Sequence, residues 1–162
     1  MYERPFRRPD GTPLRPWKSA GEADEAMIER WNAIVSPDDN IIHLGDVAWT
    51  RQALGVISRL NGRKTLVLGN HENQLMKYLG DYFSKIYAYH KLDGFALSHV
   101  PIHVDSVDKF QGNIHGHLHS GRVTDHREAM DTSYLCVCVE HTDYTPIAWE
   151  DVKSRFAAQQ VV

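Results

Sequence analysis

The chain has 162 residues, of which 42% are hydrophobic and 24% charged, and 18 basic against 21 acidic side chains give a net charge of −3. At about 100–200 residues per domain we expect one domain over residues 1–162, and the ordinary composition excludes a wholly disordered chain. The mild negative charge argues against a protein that binds nucleic acid chiefly by neutralising phosphates. No apolar run approaches the roughly 18 residues of a membrane-spanning helix, and residues 1–18 lack the apolar stretch of a signal peptide. We therefore expect a cytoplasmic protein with no membrane contact.

Residues 1–18 differ in composition from the rest of the chain. They contain four of the seven prolines and five basic residues against two acidic ones. Prolines at this spacing prevent a strand, and no apolar periodicity is present. We expect an irregular N-terminal segment that lies on the surface through Phe6, Leu14 and Trp17.

The remaining chain alternates between apolar strands and helices. Ser19 and Glu22 have the spacing of a capping box and begin a helix that extends to Val35, with apolar residues every three or four positions. The elements expected after it are strand 40–44, helix 50–60, strand 65–68, helix 74–79, strand 85–89, turn 91–94, strand 95–98, strand 134–139, extended segment 146–149 and helix 150–158. Strand–helix alternation followed by hairpin-like strands predicts an α/β fold with a mixed sheet or two packed sheets.

Histidine is the unusual residue of the composition. Seven of the ten histidines lie in the 37 residues between His90 and His126. Because histidine is the commonest metal ligand and a frequent acid or base, this clustering indicates a metal or catalytic site.

Four short motifs each follow an apolar strand or extended segment. They are Gly45-Asp46, Gly69-Asn70-His71-Glu72, Ser98-His99-Val100-Pro101 and Gly116-His117-Leu118-His119. Ligands of open α/β sheets bind outside the carboxyl ends of the strands, so motifs distant in sequence can meet there.

The first two motifs carry oxygen ligands and a proton donor. The Asp46 carboxylate could bind one metal or bridge two, although Gly-Asp is also a common turn. Asn70 offers a neutral oxygen, and His71 could give a proton to a leaving oxygen. Glu72 could orient the His71 imidazole. The alternative is that Asn70 and His71 only cap the following helix.

The last two motifs carry imidazoles. A single histidine such as His99 at a strand end is often only packed or exposed. His117 and His119 would point the same way on an extended segment, which makes them a preformed pair of metal ligands.

The order and spacing of these motifs closely resemble the calcineurin-like metallophosphoesterase family. Residues 43–47 look like the second motif of that family, and residues 114–119 look like its last. Residues 138–147 resemble the tail of small single-domain members from bacteria and their viruses. The resemblance covers residues 4–152, nearly the whole chain.

The resemblance implies a calcineurin-like phosphoesterase fold, with two packed mixed sheets flanked by helices in four layers, and a two-metal hydrolase. The implied ligands are Asp46 bridging both metals, Asn70, His99 and His117 completing one site, and His119 at the other. His71 would lie near the phosphate and assist the leaving group. The implied catalytic residues are thus His71, Asp46 and Asn70.

The implied reaction is hydrolysis of a phosphate monoester or diester by metal-bound hydroxide, without a protein nucleophile. The substrate would be a small molecule or a nucleotide, and nucleic acid is compatible but not indicated. The imidazole-rich ligand set suits Mn²⁺ best in our interpretation, with Zn²⁺, Fe or Ni²⁺ as further candidates and Mg²⁺ less suited.

The family opens with Asp-x-His at the end of its first strand, and this sequence contains no Asp-x-His. Residues 2–6 resemble the stretch just downstream of that motif, so the resemblance implies that the first strand and two ligands are missing. One explanation is a misassigned start or a truncated sequence. A second is a genuinely shortened member with one metal, catalytically weak or inactive, that binds a phosphorylated partner. A third is that His103, His115 or Asp10 replaces the missing ligands.

The other histidines and the arginines have plainer interpretations. His43 is expected in the core, and His90, His126 and His141 at the surface or in turns. Five arginines could hold substrate phosphates, and the three in the N-terminal segment could instead hold a nucleic-acid backbone; the plainer interpretation is that all five form solvated faces. They are Arg4, Arg7, Arg8, Arg122 and Arg127.

Overall fold

The computed structural model of the protein describes residues 11–161. The sequence-based predictions for Phe6, Arg4, Arg7, Arg8 and Asp10 therefore lie outside the described residues. The part of the N-terminal segment that is described, residues 11–18, is irregular, as expected.

The described chain contains α-helices, short 3₁₀ helices and strands. The helices are α1 Ala20–Ile34, α2 Arg51–Leu54, α3 Met76–Leu79, α4 Val104–Val107 and α5 Trp149–Gln159, and the 3₁₀ helices are Gly55–Arg59, Glu72–Gln74 and Val139–His141. The strands are β1 Asn40–His43, β2 Arg63–Val67, β3 Lys85–Tyr87, β4 His90–Leu92, β5 Phe95–Ser98, β6 Asn113–His115 and β7 Tyr134–Cys136.

The strands form two sheets, which confirms the predicted α/β class. The first sheet has the order β1-β2-β3 and is entirely parallel. The second has the order β4-β5-β6-β7 and is mixed, because β4 is antiparallel to β5 while β5, β6 and β7 are parallel. Parallel neighbours have their carboxyl ends at the same edge of a sheet. The residues that follow β1 and β2 therefore share one edge, as do those that follow β5 and β6.

Two apolar cores hold these sheets. One core covers the first sheet, where Leu66 packs with Leu54 and Leu79. The other lies between the second sheet and α5, where Ile114 packs with Phe156, and Ile42 of β1 also packs against this core. Each such buried side chain contributes about 1.5–3 kcal/mol of hydrophobic stabilisation. The contact of β1 with the second core brings the two sheets together.

The N-terminal segment is attached through aromatic contacts. Leu14 is buried, and the Tyr144 hydroxyl donates a hydrogen bond to the Leu14 carbonyl. The Trp17 ring packs edge-on against Tyr144 with centroids 4.5 Å apart. These contacts agree with the expected surface attachment through Leu14 and Trp17.

Local hydrogen bonds explain where the elements agree with the sequence and where they differ. The Ser19 hydroxyl caps α1 by accepting from the Glu22 amide at 3.1 Å. The Glu22 carboxylate accepts from the Lys18 amide instead of closing the capping box on Ser19. The helix predicted over 50–60 is divided at Gly55 into α2 and a 3₁₀ helix.

Neither strand β4 nor helix α4 was predicted. The turn predicted at 91–94 is only Asp93-Gly94, with φ of +46° and +84°, which joins β4 to β5 as a two-residue hairpin. Helix α4 begins after His103, whose ring nitrogen accepts from the Asp105 amide at 3.2 Å. The strand predicted over 134–139 ends at Cys136, and a 3₁₀ helix begins at Val139.

None of the helices in residues 11–161 is long and apolar enough to cross a membrane.

We predict that acid destabilises the fold through His43. Its Nδ1 is buried without a hydrogen-bond partner, and burial lowers the pKa of the ring from 6.5 to about 4. Because the unfolded chain binds this proton more readily, the free energy of unfolding falls as the pH drops from about 6.5 to about 4, by about 3 kcal/mol in total. Urea unfolding of metal-free protein across this range measures the slope. His43→Leu should reduce it, and an equally steep slope in the variant would contradict the prediction.

Candidate metal centre

Four predicted site residues meet where β1, β2, β5 and β6 end. The His99 Nε2 atom lies 3.0 Å from Asn70 Oδ1, 3.1 Å from His117 Nδ1 and 3.3 Å from Asp46 Oδ2. One ligand atom each from Asp46, His99 and His117 forms a group whose members all lie within 4.8 Å of one another. The structure thus brings together all the residues that the sequence assigned to one metal.

The protonation of His99 follows from its other ring nitrogen. Nδ1 lies 2.7 Å from the Leu44 carbonyl oxygen, which can only accept, so Nδ1 carries the proton and Nε2 keeps its lone pair. That lone pair shares a confined space with a carboxylate oxygen and an amide oxygen. Three acceptors at such distances repel one another unless a cation lies between them. The histidine is only 4% exposed, which limits relief of this repulsion by water.

The donor atoms fit a divalent metal ion. Nitrogen and oxygen ligands at about 2.1 Å from one ion are separated from each other by roughly 3.0–3.4 Å. The separations of 3.0, 3.1 and 3.3 Å from His99 Nε2 fall in this range. A carboxylate, an amide oxygen and two imidazoles suit Mn²⁺, Zn²⁺, Fe or Ni²⁺.

The electrostatics of His117 also favour a ligand role. Burial lowers the pKa of the His117 ring, and the nearby His99 lowers it further. The ring is therefore neutral at neutral pH, which is the form that binds a metal.

Glycines allow the two loops after β1 and β2 to approach each other. A Cβ at Gly45, whose φ is +86°, would lie 2.6 Å from both Gly69 Cα and His99 Nδ1. A Cβ at Gly69 would lie 2.3 Å from Asp46 Oδ1. No side chain fits at these distances, so the glycines of both motifs are sterically required.

The backbone at three predicted ligands is left-handed. The φ angles are +54° at Asp46, +67° at His117 and +53° at His119, a region that costs an ordinary L-residue about 1–2 kcal/mol. Non-glycine residues keep such conformations where the surroundings enforce them, and they cluster at functional sites. The expectation that His117 and His119 lie on an extended segment is wrong, because β6 ends at His115 and the chain turns at both residues.

Glu72 has a different role from the one expected of it. Its side chain accepts from the Val47 amide through Oε1 and from the Gly69 amide through Oε2, both at 2.7 Å, and the residue is only 1% exposed. Both oxygens are used by backbone donors in the loops that follow β1 and β2. Glu72 therefore ties these loops together and does not orient His71.

His71 is positioned by Asp46 and by a tryptophan. Its backbone amide donates to Asp46 Oδ1 at 3.2 Å, and its Nε2 lies 3.8 Å from Asp46 Oδ2. The Trp49 ring packs on the imidazole with centroids 3.8 Å apart. Sequence reasoning missed Trp49, because stacking across 22 positions leaves no local pattern.

His119 lies outside the close group of ligands. Its Nδ1 is 3.1 Å from Glu140 Oε1, and the Glu140 carboxylate is also 3.6 Å from an Arg15 guanidinium nitrogen. Sequence reasoning did not assign a role to Glu140. Its only signal was its presence in the stretch that resembles the tail of small phosphoesterases.

The weaker ligand candidates lie elsewhere. His103 is exposed at the start of α4, and Arg122 and Arg127 are exposed after the last histidine motif. His115 is fully buried in β6, with Nδ1 2.8 Å from the Gly116 carbonyl oxygen, and burial lowers its pKa. Neither histidine belongs to the close group around His99.

Comparisons with known proteins support the fold. No family model matches the chain. An uncharacterized protein of Methanocaldococcus jannaschii is 26% identical over 145 residues, which cover 83% of this chain and 75% of that protein. The gene 66 protein of Mycobacterium phage L5 is 39% identical over 56 residues, 32% of this chain and 27% of the phage protein. A solved structure of a protein of unknown function from Aquifex aeolicus is similar with a TM-score of 0.61 and 26% identity, over 87% of this chain and 89% of that one.

We predict that Glu72→Gln destabilises the protein by about 1–3 kcal/mol. The amide keeps one acceptor oxygen but turns an NH₂ group toward a buried backbone N–H, which loses its partner. Urea unfolding of the metal-free protein measures the loss. Glu150→Gln is the matched control, because Glu150 is exposed and pairs with Lys153 at the surface. Equal stability of the two variants would contradict the prediction.

Proposed function

We propose that the protein is a metal-dependent phosphoesterase with a calcineurin-like fold that hydrolyses a phosphate monoester or diester. The observation that carries the proposal is the convergence of Asp46, Asn70 and His117 on the lone pair of His99. Support comes from the sequence order of the motifs, which resembles that family, and from the two sheets whose strand ends carry them.

Asp46, Asn70, His99 and His117 would hold one divalent cation, with Mn²⁺ the best candidate. When bound, such a cation polarises the phosphoryl group and lowers the pKa of coordinated water. The protein contributes the arrangement of its ligands. The Leu44 carbonyl fixes the tautomer of His99, and the hydrogen bond from the Val47 amide to Glu72 fixes the loop that carries Asp46. In a preformed site, little free energy is spent on ordering the ligands as the ion binds.

His71 is proposed as the proton donor to the leaving oxygen. Its Nε2 lies 3.8 Å from Asp46 Oδ2, beside the cluster but outside the group of ligands. The packing of Trp49 restricts rotation of the ring.

The proposed substrate is a small phosphate ester, including a nucleotide, and the proposed compartment is the cytoplasm. The competing function is a one-metal domain that binds a phosphorylated partner without turnover. It is favoured by one observation: within residues 11–161, the histidines, cysteines and carboxylates form a single close group, which excludes His119.

We predict that Asp46→Asn abolishes hydrolysis and weakens Mn²⁺ binding at least about tenfold. The substitution removes a negative charge from the centre of the site, while asparagine accepts a φ of +54° as readily as aspartate. Turnover of p-nitrophenyl phosphate and of bis(p-nitrophenyl) phosphate with Mn²⁺, together with calorimetric titration of Mn²⁺, measures both effects.

Asp93→Asn is the matched control for this variant. Asp93 is also left-handed, with a φ of +46°, but lies in the β4–β5 turn, whereas His99 follows the other end of β5. The control should keep both metal binding and turnover. Metal binding without turnover of either ester with Mn²⁺, Zn²⁺, Fe²⁺ or Ni²⁺ would instead support the one-metal binding domain.

We predict that His71→Ala slows turnover about 100-fold or more without changing metal content, because it removes the proton donor but no ligand. The loss should be larger with phenyl phosphate than with p-nitrophenyl phosphate, since p-nitrophenolate leaves without protonation. Steady-state kinetics on both esters and elemental analysis of the purified variant measure this. Equal losses on the two esters, or a loss of metal, would show that His71 is not the acid.

A further inference from the structure

Glu140 forms a buried contact behind the last histidine motif. Its side chain is 2% exposed, and Oε1 lies 3.1 Å from His119 Nδ1 and 3.6 Å from Arg15. The carboxylate follows β7 in the 3₁₀ helix Val139–His141, so three distant parts of the chain meet at this one group.

The hydrogen bond fixes the proton of His119. A carboxylate accepts and does not donate, so the ring nitrogen at 3.1 Å carries the proton and Nε2 keeps the lone pair. The Arg15 guanidinium lies 3.6 Å from the same carboxylate and offsets its charge. Histidines that bind metals commonly donate their other N–H to a carboxylate in this way.

We propose that Glu140 is a positioning residue that holds His119 in the Nδ1-protonated tautomer, so that Nε2 can bind a second divalent cation beside Asp46. The inference rests on the proposed function, because Asp46 would then contribute to both ions. Arg15 extends the arrangement to the N-terminal segment, which packs on the same region through Leu14 and Tyr144.

The test uses the full chain and the variant Glu140→Gln, because glutamine fills the same space but can donate to Nδ1. In metal-free protein, ¹⁵N-resolved NMR of the histidine rings should place the His119 proton on Nδ1, and in Glu140→Gln a population should carry it on Nε2. Calorimetric titration with Mn²⁺ should show two sites in the unsubstituted chain. The weaker site should lose about 10- to 100-fold in affinity in Glu140→Gln, and the tighter site should be unchanged.

Two further variants separate positioning from general destabilisation. Glu150→Gln, an exposed glutamate in α5, should change neither the tautomer nor the affinities. His119→Ala should weaken the second site, and adding Glu140→Gln to it should have no further effect, because Glu140 acts through His119.

The outcomes distinguish this inference from the proposed function. A His119 proton on Nε2 in the unsubstituted chain, or two sites of unchanged affinity in Glu140→Gln, would overturn the inference and leave the phosphoesterase proposal standing. A single Mn²⁺ per chain would also overturn the second site. Failure of the chain to bind any metal would overturn the proposed function itself, whereas the NMR result would still report the tautomer.

Discussion

The candidate site depends first on one buried carboxylate. Glu72 accepts backbone hydrogen bonds from Val47 and Gly69 and so connects the loops that follow two adjacent parallel strands. These loops carry Asp46 and Asn70, whose side chains approach His99 from the first sheet. Hydrogen bonds to a charged acceptor contribute more than neutral ones, about 1.5–3 kcal/mol each. Glu72 therefore fixes the positions of Asp46 and Asn70 without requiring an ion.

The second sheet supplies His99 and His117, the other two proposed ligands, and the acceptor atoms that meet at His99 repel one another. The buried His99 ring donates a hydrogen bond from Nδ1 to the Leu44 carbonyl, which leaves the Nε2 lone pair pointing toward two oxygen acceptors. Left-handed backbone at Asp46 and His117 adds a conformational cost. Burial of the two apolar cores offsets these costs, and the attraction of a bound cation for each acceptor would outweigh their mutual repulsion.

Much of the fold and of the candidate site was predictable from local sequence. The meeting of Asp46, Asn70, His99 and His117 could be anticipated because each follows an apolar strand or extended segment within a short motif, and parallel strands bring such ends together. The partners of Glu72 could not be, since backbone amides 25 and 3 residues away leave no pattern in the side chains. The turns at His117 and His119 were missed because left-handed backbone at residues other than glycine leaves no signature in the side-chain pattern.

The central claim is that a divalent cation binds among Asp46, Asn70, His99 and His117. Anomalous diffraction from crystals grown with Mn²⁺, recorded on both sides of the manganese absorption edge, tests it most directly. The proposed site predicts a peak within about 2.0–2.3 Å of one donor atom from each of these four residues. No peak at this position, or a peak bound only by other residues, would contradict the claim.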